Sequence, residues 1–191
     1  MRYFACLAAI PLLATALPAF AQEIDAANQS LQLAGDAPAA CVVGEPKVAN
    51  AVNASFSVDN QTSGTIGISQ FVDQQTGQTL ASSIDLSFPV TCNASHSVAL
   101  RSGNGGMLRA GASAGGTTSA QGFSEFVTYQ LQLDWQGQQI DLASDLGGGE
   151  IDAGQPGKGD LSLHVATPAG NGPLVAGQYD DAIVIEFSTS I

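Results

Sequence analysis

A chain of 191 residues with 17 acidic against 5 basic side chains carries a formal charge of −12. That balance excludes the basic surface that nucleic acid and anionic membranes demand. Charged residues make up 12% of the chain and glycine fills 22 positions, which leaves little material for long solvent-exposed helices; an all-β fold is expected.

Residues 1–21 read as a secretory signal. Arg2 supplies a positive start, residues 5–16 are apolar, and Ala19-Phe20-Ala21 offers the small-x-small pattern a signal peptidase needs. The apolar stretch is too short and too interrupted by proline to span a bilayer. Cys6 lies far from the cleavage site, so no lipid anchor is expected. An exported, soluble product starting at Gln22 follows, with room for one domain. Of the cysteines, Cys41 and Cys92 survive processing, and an even pair in an oxidising compartment is most simply one disulfide.

Residues 22–40 precede the first cysteine and do not read as part of the compact domain, which is expected over 41–191. They are rich in Ala and Gln, with one short alternation that sets Gln29, Leu31, Leu33, Gly35 and Ala37 on a single face. Weaker strand signals cover 54–59 and 65–72. Ile84, Leu86, Phe88, Val90 and Cys92 then alternate without a break, which puts Cys92 on the buried face; Pro89 on the opposite face is allowed only where its missing N–H is not needed, as on an edge. A further weak strand covers 97–101. In 126–135, Val127, Tyr129, Leu131, Leu133 and Trp135 share one face of what reads as a single ten-residue strand. A weak strand at 138–143, a shorter one through Leu161, Leu163 and Val165, and a last one through Ile183, Ile185 and Phe187 complete the series. The low-complexity stretches 110–121 and 147–159 read as surface loops. Many short strands separated by turns indicate a sandwich or Greek-key barrel. The chain stops four residues after Phe187, so the closing strand of the sandwich is expected to be missing, leaving an apolar groove and an open edge.

No catalytic chemistry stands out, and the chain is not expected to be an enzyme. His96 and His164 sit in no zinc-ligand spacing and read as a capping and a solvated residue. No nucleophile elbow, phosphate loop or dinucleotide fingerprint is present. The acidic, Gly-rich stretch 141–160 lacks EF-hand spacing and reads as a solvated loop rather than a calcium site. No metal or cofactor is implied.

Three stretches together resemble the spore coat protein U family, which includes the archaic, Csu-type, chaperone–usher pilins. They are Pro89-Val90-Thr91-Cys92-Asn93 running on to Val98-Ala99-Leu100 and the turn at 102–106; Val127-Thr128-Tyr129-Gln130-Leu131; and Ala176-Gly177-Gln178-Tyr179-Asp180-Asp181 before Ile183-Val184-Ile185. The last, Gly-x-Tyr-x-Asp ahead of the final strand, is the most specific, and the resemblance covers about 41–188. It implies an immunoglobulin-like Greek-key β-sandwich lacking its last strand. It also implies a periplasmic chaperone, an outer-membrane usher and other pilus subunits as partners, and a place on the cell surface in adhesion and biofilm formation. Residues 22–40 then become a donor strand, with Leu31 and Leu33 as plugs and Gly35 where backbones approach closely. Ile183, Ile185 and Phe187 form the edge of the acceptor groove. Tyr179 reads as a structural tyrosine corner, its hydroxyl returning to backbone. The competing expectation is a self-contained secreted β-sandwich that binds a ligand or serves in a coat matrix.

Overall fold

Period-two alternation builds the two longest strands, β5 (Ser82–Cys92) and β12 (Gly157–Thr167). They pair antiparallel in continuous register from Ser82 opposite Thr167 to Cys92 opposite Gly157. The computed structural model describes residues 32–113 and 122–189. On the far side of β12 lies β9 (Gln130–Trp135), followed by β10 (Gln138–Ala143). Gln136 and Gly137, both at positive φ, make the tight two-residue turn between β9 and β10. The other side of β5 is shared by two short strands, β1 (Cys41–Val43) along its C-terminal end and β2 (Lys47–Val52) along its N-terminal half.

A second sheet has the order β11 (Gly148–Ala153), β6 (His96–Ser102), β14 (Ile183–Thr189). A small sheet joins β13 (Tyr179–Asp180), β7 (Met107–Arg109) and β8 (Phe126–Val127), and β3 (Ala54–Asn60) pairs only with β4 (Ser63–Ile68). Every strand pairing is antiparallel and the fold is all-β. No helix among the described residues is long and apolar enough to cross a membrane.

The core lies between the two larger sheets. Ile84, Leu86 and Val90 of β5, Leu161 and Leu163 of β12, and Leu131, Leu133 and Trp135 of β9 meet Val98 and Leu100 of β6 and Ile151 of β11. This is the layering of a β-sandwich, and each fully buried aliphatic side chain contributes about 1.5–3 kcal/mol. Cys41 and Cys92 stand directly opposite across β1 and β5 and are joined in the expected disulfide.

The chain divides into one compact unit, Ala37–Ile191, and the segment Met1–Asp36. Within that segment, residues 32–36 carry no regular structure, and the signal reading of 1–21 lies outside the described residues.

Four expectations from the sequence are corrected. β5 is central rather than an edge. The Pro89 carbonyl accepts from Gly44 N–H at 2.7 Å, so the missing Pro89 N–H points the same way, into the break between β1 and β2. The run 126–135 is two strands in different sheets, broken at Thr128 and Tyr129. There Ser144 substitutes for a ladder partner: its Oγ accepts from Tyr129 N–H at 3.1 Å and its N–H donates to the Tyr129 carbonyl at 2.8 Å. The stretch 147–159 is no loop, since it holds β11 and the start of β12. Gly148 and Gly149 are packing residues: a Cβ on Gly149 would lie 2.6 Å from Ile140 Cγ2, and one on Gly148 would lie 2.8 Å from the Leu100 carbonyl oxygen. His96, expected as a solvated or capping residue at the start of a strand, does begin β6 but is buried at 1% exposure. Of the other expected loop, 110–121, residues 114–121 lie outside the described residues.

Candidate functional site

The two flanks of the sandwich differ. On one, β10 and β11 close the sheets together: Ile140 and Leu142 pack over Gly149, and Gln138 Nε2 donates to the Asp152 carbonyl at 3.0 Å. On the other, β1 and β2 face β14. The Cα atoms of β1 and β14 come within 8 Å, yet among the described residues β14 pairs only with β6, and β1 and β2 only with β5.

Residues directly opposite in an antiparallel pair share a face. Val43 stands opposite the buried Val90, and Val48 opposite the buried Leu86. Both therefore project from the inner face of their sheet, but they are 42% and 46% exposed. Across the cleft Ile183, Ile185 and Phe187 stand opposite Ser102, Leu100 and Val98, all three of which are buried. Their own side chains pack against the core but are only half-buried, as is Phe88 on β5. Inner-face apolar residues are thus half-open along one flank, next to strand edges that have no ladder partner among the described residues.

At one end the cleft floor is aromatic. The Phe187 ring lies 6.3 Å from Trp135, perpendicular to it, and 6.4 Å from His96. The Trp135 indole N–H donates to His96 Nε2 at 2.9 Å, which leaves Nδ1 to carry the proton it donates to the Ala94 carbonyl at 3.0 Å. A ring nitrogen of His96 and the sulfurs of Cys41 and Cys92 lie within 4.8 Å of one another, the one cluster of three metal-ligating residues among the described residues. Its sulfurs are spent in the disulfide. Asp141, Glu150, Asp152 and Asp160, from the stretch considered for calcium, are carried on β10, β11 and β12.

The start of β14 is held by a polar network. One Asp181 carboxylate oxygen accepts from Tyr129 Oη at 2.7 Å and from Ser102 Oγ; the other accepts from the backbone N–H groups of Asn104 and Ala182, both at 2.7 Å. Burial, reinforced by that carboxylate, pushes the Tyr129 hydroxyl far above its ordinary pKa. Tyr179 lies two residues upstream, and its hydroxyl reaches the carbonyls of Val175 at 2.8 Å and Ser124 at 2.9 Å. Its pKa is raised too, mainly by burial.

At the other terminus of the domain, Leu33 is 98% exposed and nothing lies within 4 Å of a Cβ placed on Gly35; Leu31 lies outside the described residues. Sequence reasoning singled out the β14 side of the cleft and missed Val43 and Val48, which sit among Gly44, Glu45 and Pro46 with no alternation to mark them. His164, expected on the polar face, pairs with Asp85 at 2.5 Å on the outer surface. No protein-family model matches the chain, and no curated protein matches it.

Proposed function

We propose that this chain is a structural subunit of a bacterial surface pilus, assembled by the chaperone–usher route through donor-strand exchange. The observation that carries the reading is the half-open flank: Val43 and Val48 on one rim and Ile183, Ile185 and Phe187 on the other are inner-face residues with no strand paired between the two rims among the described residues. An extended segment entering there gains main-chain pairing from two free edges and side-chain burial from the cleft, which is the economy of strand addition. The finer fold in this reading is an immunoglobulin-like Greek-key sandwich without its last strand. The Tyr179 hydroxyl returning to the Val175 carbonyl, as in a tyrosine corner, supports it.

In the fibre, residues 22–40 of the next subunit supply the missing strand, with Leu31 and Leu33 as plugs and Gly35 at a close approach. Before that, a periplasmic chaperone covers the cleft, and an outer-membrane usher receives the subunit. Adhesion and biofilm formation follow from polymerisation rather than from catalysis, and the protein ends on the cell surface.

The test is thermal unfolding of residues 37–191, secreted to the periplasm, with and without a synthetic peptide of residues 22–36. A marked and slowly reversing rise in melting temperature is expected. A domain indifferent to the peptide would return the protein to the class of self-contained secreted sandwiches.

A further inference from the structure

The chain contains two Asn-Gly steps, Asn104-Gly105 and Asn171-Gly172. Glycine has no side chain to shield its amide nitrogen, which can attack the side-chain carbonyl carbon of the preceding asparagine. Whether it does depends on how freely the intervening peptide turns, and the fold treats the two steps differently. Asn171 is clamped. Its carbonyl accepts from the N–H of buried Thr79 at 2.8 Å, its own N–H donates to Thr79 Oγ1 at 3.0 Å, and its side-chain nitrogen is shut off from solvent. Asn104 is exposed, in the bend between β6 and β7. The peptide that has to turn there presents the Asn104 carbonyl and the Gly105 N–H, and neither has a hydrogen-bond partner among the described residues. Asn104 is held from its other side alone: its N–H donates to Asp181 Oδ1 at 2.7 Å, and its Nδ2 reaches the Asp180 carbonyl at a long 3.4 Å.

We propose that Asn104 is a site of spontaneous deamidation whose product loosens the start of β14. The Gly105 nitrogen bonds to Asn104 Cγ and passes its proton to the departing side-chain nitrogen, which leaves as ammonia; a cyclic succinimide remains. Water then opens one or other of the ring's carbonyls, giving aspartate or isoaspartate, and no oxidant or cofactor enters. Either product sets a carboxylate where an amide nitrogen had met the Asp180 carbonyl, beside the carboxylate of Asp181. Isoaspartate also adds a carbon to the main chain of the turn. Asp181 ties the start of β14 to Ser102 and Tyr129, so repulsion at position 104 acts on the clamp that fixes the first residues of that strand.

The experiment ages the exported chain, folded, in mildly alkaline buffer and then digests it with trypsin. Cleavage after Arg101, Arg109 and Lys158 places Asn104 in peptide 102–109 and Asn171 in peptide 159–191, each the sole asparagine of its peptide. Mass and chromatography then read amide loss and separate the two products. Asn104 should convert roughly tenfold or more faster than Asn171, the size of the hydrogen bonds that Asn171 has to break first. In the urea-unfolded chain the two rates should converge. Equal conversion of both in the folded protein, or none at Asn104, would overturn the site. The consequence is read by amide exchange at Val184. It stands opposite Arg101, two residues beyond the Gly103–Ala182 bond, where the alternation of the ladder pairs its N–H. Exchange there should accelerate several-fold in the aged protein and in Asn104→Asp. It should hold the unaged level in aged Asn104→Gln, which keeps the amide but forms the ring far more slowly. Converted protein with unchanged exchange at Val184 would overturn the loosening of β14.

Discussion

Trp135 and His96 form a buried donor–acceptor pair, indole N–H to imidazole Nε2 at 2.9 Å, and it joins β9 of one sheet to β6 of the other. Both ring nitrogens of His96 are occupied, one accepting and one donating, so the neutral tautomer is fixed by its partners. Trp135→Phe removes the donor, leaves Nε2 unpaired in the core and opens a void beside Phe187. A loss of about 2–4 kcal/mol in urea unfolding is expected. Far-ultraviolet circular dichroism must report it, because Trp135 is the only tryptophan in the chain. A variant as stable as the parent would show that the pair does not hold the sheets together.

Alkaline pH offers a second test, at the Asp181 network. Tyr129 and Tyr179 both have folded-state pKa values above the ordinary 10.0. The sign follows from linkage: below the unfolded pKa both states keep the proton and the contribution is complete. Above it, the unfolded chain releases the proton and the folded one does not, so stability falls as pH rises beyond about 10. Urea midpoints between pH 8 and 11.5 should decline, and Tyr129→Phe should flatten the decline. A parent curve level across that window rules the explanation out.

The disulfide contributes through the unfolded state. Cys41 and Cys92 are 51 residues apart, and on the chain-entropy estimate such a bridge is worth about 4 kcal/mol. Cys41→Ser with Cys92→Ser should lower the unfolding free energy by up to that amount. It should also release β1 from β5, so amide exchange at Val42 and at Gly44, whose N–H donates to the Pro89 carbonyl, should accelerate first. Uniform acceleration across β5 and β12 would instead point to global loosening.

The ease of reading this fold from sequence tracked how cleanly one force dominates each segment. Residues 84–92 were legible because each inward position is filled by an apolar side chain, all of them buried but Phe88. The Gly-x-Tyr-x-Asp motif was visible as a pattern, but the role of Asp181 in pinning β14 to Ser102 and Tyr129 needs contacts 79 and 52 residues apart. Gly148 and Gly149 misled because glycine signals both a turn and a close approach, and only the neighbouring Ile140 and Leu100 decide between them. Continuous alternation through 126–135 concealed a change of sheet, since Ser144 supplies the hydrogen bonds that a ladder would have given. Half of the candidate site was legible for the same reason: β14 alternates, whereas Val43 and Val48 reveal their inner face only through register with Val90 and Leu86.

The closed flank supplies a contrast with that open one. A Cβ on Gly149 meets Ile140 Cγ2 at 2.6 Å and Leu142 Cδ2 at 3.2 Å, so Gly149→Val should force β11 away from β10 and cost about 1–3 kcal/mol. Gly35→Val meets nothing and should leave thermal unfolding of the domain unchanged. Equal effects at the two sites would mean that the flank is not packed as tightly as its backbone spacing requires.

The rim valines separate folding from docking most directly. Val48 is 46% exposed in the uncovered domain, so replacing it removes little burial there, and Val48→Lys should change the unfolding midpoint of residues 37–191 by less than about 1 kcal/mol. With a strand in the cleft, the same position faces apolar plugs, and the ammonium group has either to bend out or lose its water. Stabilisation by the 22–36 peptide should then drop sharply, because an unpaired charge at a buried interface costs several times a lost methyl contact. A conservative Val48→Ile should retain the peptide response. If Val48→Lys binds the peptide as well as the parent does, the strand does not enter between β2 and β14, and the cleft on this flank is not its site.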